Sequence, residues 1–157
     1  MRELLIRLAQ AQFPFVVIGG YAAYAHGVTL VTQDIDVCCA FTEDSLKRLQ
    51  AAIGDLHPVH RMRPDRLALE IRPGMSTNIR NLYLDTDVGQ LDLIGQVQGI
   101  GGYQAALEHS IEVSIDDAPI RLLSLSALIK AKEAMARDRD REAVRQLRSI
   151  QAMTGDQ

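Results

Sequence analysis

The stretch Val16-Val17-Ile18-Gly19-Gly20-Tyr21-Ala22-Ala23-Tyr24-Ala25-His26-Gly27, continued by Val28-Thr29-Leu30-Val31-Thr32-Gln33-Asp34-Ile35-Asp36-Val37, decides the fold. The apolar run before Gly19 has the composition of a buried strand. Two glycines at its end permit a tight turn and close backbone approach. The alanine-rich segment after them favours a helix, and Gly27 suits its C-terminal cap. A second strand then carries Asp34 and Asp36 on one face, because side chains alternate along a strand. A glycine turn opening a helix therefore stands beside two carboxylates. Backbone N–H groups of such a turn can meet phosphate oxygens. The carboxylate pair can hold a hard cation such as Mg2+. Together they suggest binding of a nucleoside triphosphate with its metal. The plain alternative is two solvated acids on an edge strand. Against it, Asp is depleted in strands, and two close carboxylates favour protonation or a cation.

Outward from this centre, the chain reads as mixed α and β. Leu4, Leu5 and Leu8 have helical spacing before Phe13-Pro14-Phe15 ends the pattern. The strand of Asp34 and Asp36 continues through Val37 and the cysteines. Thr42 is a good N-cap for a helix carrying Leu46, Leu49 and Ile53, closed by Gly54. His57 to Arg61 and Leu67 to Arg72 are short strand candidates around a turn at Arg63-Pro64-Asp65-Arg66. Ile79 to Leu84 and Leu91 to Ile94 form a hairpin pattern, with Asp85-Thr86-Asp87-Val88-Gly89 as its turn. Gly99 to Gly102 reads as a flexible loop. Ile111 to Ile115 and Pro119 to Leu122 suggest a second hairpin. Ser124 caps a helix to about Ala136, and Asp138 to Ile150 forms another. The expectation is one α+β domain over 1–157: a mixed β-sheet with helices packed on one side and a C-terminal helical pair, 124–152, in the same unit.

The totals narrow the function. A chain of 157 residues suits one domain with a proper core. The hydrophobic fraction is 47% and the charged fraction 24%, as in soluble globular proteins. A net charge of −3 disfavours a broad, sequence-independent nucleic-acid surface. Without tryptophan and with few aromatics, a large base-stacking platform is not expected. No apolar run spans a membrane, and Arg2, Glu3 and Arg7 interrupt any signal-peptide core. Cys38 and Cys39 are chain neighbours that point to opposite faces of a strand, so they read as unbridged residues in a reducing cytoplasm.

These motifs resemble the minimal nucleotidyltransferases of the DNA polymerase β superfamily. The resemblance rests on Gly19-Gly20, on His26-Gly27 and on Asp34-Ile35-Asp36. A third carboxylate on a later strand fits Asp92 in Gln90-Leu91-Asp92-Leu93-Ile94. A closing apolar helix with a lysine, then Arg and Asp, is matched by Leu128-Ile129-Lys130-Ala131-Lys132-Glu133-Ala134, Arg137 and Asp140. The similarity spans about Phe15 to Leu147 and is nearest to the AbiEii-like enzymes of bacterial toxin–antitoxin and phage-defence systems. Many relatives carry an arginine two residues before Thr32, where this chain has Leu30.

The resemblance implies a metal-dependent transfer of a nucleoside monophosphate to an acceptor hydroxyl, with release of pyrophosphate. Asp34, Asp36 and Asp92 would be the catalytic, metal-holding residues, on two Mg2+ ions or on Mn2+ in their place. Asp92 could also take the acceptor's proton. Its rivals, Asp85 and Asp87, sit where a hairpin turn wants Asp. Gly19, Gly20, Tyr21 and Lys132 are the nucleotide-binding candidates. Tyr21 could donate through its phenol or point into the core, and Lys132 could meet the triphosphate or be a surface charge. His26 suits packing better than catalysis. The arginines of 137–148 alternate with acids and read mostly as an ion-paired helix surface. The acceptor could be RNA, a protein or a small molecule, with a cognate toxin or antitoxin protein as a further partner. A second reading keeps the same fold as a nucleotide-binding or antitoxin-like module with weak or no turnover. Leu30 and Tyr21 favour that reading, and three gathered carboxylates disfavour it.

Overall fold

A computed structural model of the chain describes residues 1–155. Among the described residues, six α-helices accompany one mixed seven-stranded sheet. The helices are α1 (Arg2–Gln10), α2 (Gly19–Ala25), α3 (Glu43–Ile53), α4 (Tyr103–Glu108), α5 (Leu125–Met135) and α6 (Arg141–Thr154). The strands are β1 (Val16–Ile18), β2 (Asp34–Cys38), β3 (Val59–His60), β4 (Asn81–Thr86), β5 (Gly89–Ile94), β6 (Ser110–Ile115) and β7 (Ala118–Leu123). Their order is β3-β4-β5-β2-β1-β7-β6. The pairs β2/β5 and β1/β7 are parallel, and the remaining pairs are antiparallel. This is the α+β class with a mixed sheet and a C-terminal helical pair that the sequence predicts.

Local chemistry accounts for the boundaries. Leu4, Leu5 and Leu8 bury one stripe of α1, which packs on α3. Thr42 opens α3 through a reciprocal cap: its Oγ1 accepts the Ser45 N–H at 2.9 Å, and Ser45 Oγ accepts the Thr42 N–H at 2.9 Å. Ser124 Oγ accepts the Ala127 N–H at the start of α5. All three residues of β1 are buried, as are Ile35 and Val37 of β2 and Leu91 and Leu93 of β5. The His26 ring donates from Nε2 to the Leu123 carbonyl at 2.8 Å, joining the end of α2 to β7. That is a packing role, as its position suggested.

Four expectations change. The second strand begins only at Asp34; residues 28–33 are coil, tied to α6 where Thr29 N–H meets Gln146 Oε1. Of His57–Arg61, only Val59–His60 pair as a strand, and Leu67–Arg72 contributes a single bridge, Ala68 to Val59. This outer edge has one partner strand, so little holds it extended. The hairpin turn is tighter than read, with Asp85 and Thr86 inside β4 and Thr86 paired to Gly89. Finally, α4 was not expected, since six residues are too few to show a helical stripe.

Candidate active site

Register builds an acidic face on the sheet. In the parallel pair β2/β5, Asp36 stands opposite Asp92 and Asp34 opposite Gln90. Residues paired across strands project on the same face, so Asp34, Asp36 and Asp92 converge. One carboxylate oxygen from each lies within 4.8 Å of the others. Burial first, then the charges of Asp92 and Asp34, push Asp36 up to about 6, while Lys132 and Arg137 pull it down. Burial also raises Asp92 above the usual carboxylate range, against the pull of Arg61. Arg61, Lys132 and Arg137 offset this crowding of acids only in part, and the three supply only hard oxygen donors. That donor set suits Mg2+ or Mn2+.

The glycine turn fits against these acids. β1 passes directly into α2, and Gly19 takes φ +67. A Cβ there would lie 3.1 Å from both Cβ and Cγ of Asp36, and closer still to Oδ2. The Asp36 carboxylate thus rests on bare backbone. Gly20 abuts Thr32, whose Oγ1 would be 2.7 Å from an added Cβ. Thr32 Oγ1 in turn donates to the Asp34 carbonyl at 3.2 Å. The Tyr21 side chain is buried against Tyr24, with ring centroids 5.8 Å apart, and lines a separate cavity with Leu30 and Val31.

Cations come from the C-terminal helices. Lys132 is only 6% exposed, yet it lines the acidic cleft. Its Nζ lies 3.3 Å from Asp140 Oδ1, and Arg137 Nε donates to Asp140 Oδ2 at 2.6 Å. Burial raises Asp140, but Arg137 and Lys132 outweigh it and hold its carboxyl below the usual range. Lys130 is exposed. Most arginines of 137–148 are ion-paired: Arg141 with Asp138, Arg145 with Glu142 and Arg148 with Glu133. Arg139 has no ion-pair partner among the described residues and lines the cleft.

The cleft has two lobes meeting at Gly19, Asp34 and Asp36. One, about 490 Å³, is walled by Asn81, Tyr83, Asp92 and Gln96. The other, about 370 Å³, is walled by Gly20, Leu30, Val31 and Thr32. Lys132, Arg137 and Arg139 line both. Arg61 is the residue that sequence reasoning missed. Its guanidinium ion-pairs through Nη2 with Asp92 Oδ1 and lies over the Tyr83 ring, 5.9 Å from the centroid. In sequence it is one arginine of a charged stretch with Arg63 and Arg66, and nothing there marks it.

Similar folds have been solved. The solution structure of the antibiotic-resistance factor ANT(2'')-Ia superposes with a TM-score of 0.56 at 18% identity, over 98% of this chain and 81% of that one. The crystal structure of ANT(2'')-Ia in complex with adenylyl-2''-tobramycin gives 0.55 at 17% identity, over 97% and 92%. The chain shares the fold of ANT(2'')-Ia. No protein-family model and no curated protein matches the chain. No helix among the described residues is long and apolar enough to cross a membrane.

Proposed function

We propose that the chain is a metal-dependent nucleotidyltransferase. It moves a nucleoside monophosphate from a nucleoside triphosphate to an acceptor hydroxyl and releases pyrophosphate. The observation that carries this reading is the gathering of Asp34, Asp36 and Asp92 within 4.8 Å at the junction of two lobes. Asp34, Asp36 and Asp92 would hold Mg2+ or Mn2+, which supplies charge neutralisation to the triphosphate and acidifies the attacking hydroxyl when bound. The acceptor oxygen forms its bond to the α-phosphorus as the bond from that phosphorus to the bridging oxygen of pyrophosphate breaks. Asp92 receives the hydroxyl proton. Lys132, Arg137 and Arg139 face the triphosphate, and Gly19 and Gly20 let it approach the backbone.

The two lobes would separate the two substrates. ANT(2'')-Ia is seen with an adenylylated small molecule, and a net charge of −3 offers this chain no broad surface for RNA. We therefore place a small hydroxylated acceptor ahead of RNA or protein. The toxin–antitoxin setting and a cognate partner protein rest on the family resemblance alone. A second reading, binding with little or no turnover, draws on one observation: Arg61 and Asp140 already engage Asp92 and Lys132.

The test uses each of the four nucleoside triphosphates labelled at the α-phosphate, with Mg2+ or Mn2+ and separate panels of hydroxylated small molecules, RNA and protein. Metal-dependent label transfer with pyrophosphate release, lost in Asp36→Asn, supports the enzyme. Metal-dependent binding without transfer supports the second reading. Neither binding nor transfer refutes both.

A further inference from the structure

Arg61 belongs to the same cross-strand row as the acids. Its N–H donates to the Tyr83 carbonyl at 2.8 Å, continuing the β3/β4 pairing one residue past His60. Tyr83 stands opposite Asp92, and Asp92 opposite Asp36. Arg61, Tyr83, Asp92 and Asp36 therefore lie side by side across neighbouring chain segments. The guanidinium reaches over the Tyr83 ring to bind Asp92. Its fit is incomplete. Nε is buried without a hydrogen-bond partner among the described residues, and the nearest carboxylate oxygen on that side, Asp85 Oδ1, is 3.9 Å away. Asp85 is itself engaged by Arg66. A guanidinium with one satisfied edge and one orphaned N–H is held by the charge of Asp92 more than by a closed network.

We propose that Arg61 is an internal counter-ion of the acidic cluster. It occupies Asp92 in the cation-free protein, and the cation that uses Asp92 must displace it. This rests on the metal-binding reading above and adds a regulatory element to it. Ions held chiefly by Asp34 and Asp36 would bind ahead of the one that needs Asp92. The positioning of Asp92 would then change only when the full cation load arrives. The segment carrying Arg61 can yield, because β3 is two residues long and lies at the sheet edge.

The test is Mn2+ titration read by electron paramagnetic resonance on the full chain without nucleotide. Wild type is compared with Arg61→Gln and Arg61→Lys. Loss of a competing charge-assisted contact should tighten the weaker Mn2+ site about ten- to a hundred-fold in Arg61→Gln. Arg61→Lys, which keeps a charge but not the stack, should fall between. Matching isotherms for wild type and Arg61→Gln overturn the proposal, and mark Arg61 as a structural ion pair only. If Arg61→Gln does not fold, the Nε–H signal of Arg61 in wild type decides. Saturating Mg2+ should shift it, and an unmoved signal overturns the proposal. No Mn2+ binding by any variant overturns this proposal and the metal reading together. Mn2+ binding that responds to Arg61→Gln, without nucleotidyl transfer, supports this proposal while the enzyme reading fails.

Discussion

Gly19→Ala is the sharpest probe of the site, because the structure separates its two costs. The first is backbone strain. Gly19 sits at φ +67, where a residue with a Cβ loses roughly 1–2 kcal/mol. The second is collision with Asp36, whose Cβ and Cγ would lie 3.1 Å from the new methyl. Asp36 is short and walled in, so it must leave its rotamer at about 0.5–1.5 kcal/mol. Gly74→Ala provides the reference: Gly74 has φ +83 and nothing within 4 Å of an added Cβ. Gly74→Ala should therefore cost the strain alone, about 1–2 kcal/mol. Gly19→Ala should cost roughly 1.5–3.5 kcal/mol, a Tm drop of roughly 3–14 °C for a chain of this size. The functional gap should be wider. A displaced Asp36 leaves the cluster, so Mn2+ binding should weaken at least about tenfold in Gly19→Ala and stay unchanged in Gly74→Ala. Thermal melts and Mn2+ titrations on the two variants check this. If Gly19→Ala binds Mn2+ like wild type and loses no more stability than Gly74→Ala, the glycine turn does not hold Asp36 in place.

Asp36 also sets a pH dependence. Its pKa rises from 3.8 to about 6 on folding, so between these values the folded chain holds more protons than the unfolded one, and stability falls as pH rises. Above about pH 6 the full penalty applies, on the order of 3 kcal/mol. Asp36→Asn removes it, so in chelator that variant should be more stable than wild type at pH 7, with most of the difference gone by pH 4; urea melts at both pH values test this. Lys132→Ala should weaken triphosphate binding about ten- to a hundred-fold and cost about 1–3 kcal/mol of stability, since buried Asp140 loses one of its two cations. Lys130→Ala should do neither, and calorimetric titration beside thermal melts separates the two lysines. Arg139→Ala should lower triphosphate affinity with the melting temperature unchanged, because Arg139 has no ion pair to lose among the described residues; equal affinity in wild type and variant would remove it from the site.

Where the sequence was legible, a local signal and a tertiary requirement coincided. The apolar run, the Gly19-Gly20 pair and the alternation through Asp34 and Asp36 each have a short-range cause, and β1, α2 and β2 follow from them. The Thr42 and Ser124 caps fixed helix starts within a residue. Asp92 was readable chiefly through the family resemblance; its interruption of Leu91, Leu93 and Ile94 is a weaker signal alone. Long-range geometry was not legible. Leu67–Arg72 has strand composition, yet at the sheet edge only Ala68 finds a bridge. Arg61 acquires meaning only from the pairing that carries it past Tyr83 to Asp92. Lys132 could be read as a charge on a helix, but its burial against Asp140 depends on how α5 and α6 pack. Tyr21 stood next to the glycines in sequence, and helix geometry turned its side chain toward Tyr24.

The parallel pairing of β2 with β5 has a consequence for folding. Hairpins β4/β5 and β6/β7 join neighbouring segments, whereas β2 meets β5 only after α3, β3 and β4 have been looped out between them. Closing such a loop costs entropy before the pairing rewards it. This costly seam is also the one that forces Asp36 against Asp92. A divalent ion bridging the two strands would bind the closed sheet and not the open chain, and a ligand selective for the native state stabilises it by about 2.7 kcal/mol at a hundredfold excess over its Kd. The cleft would then double as a clasp: the acids that gather a cation would also make the join of β2 and β5 depend on what the cleft holds.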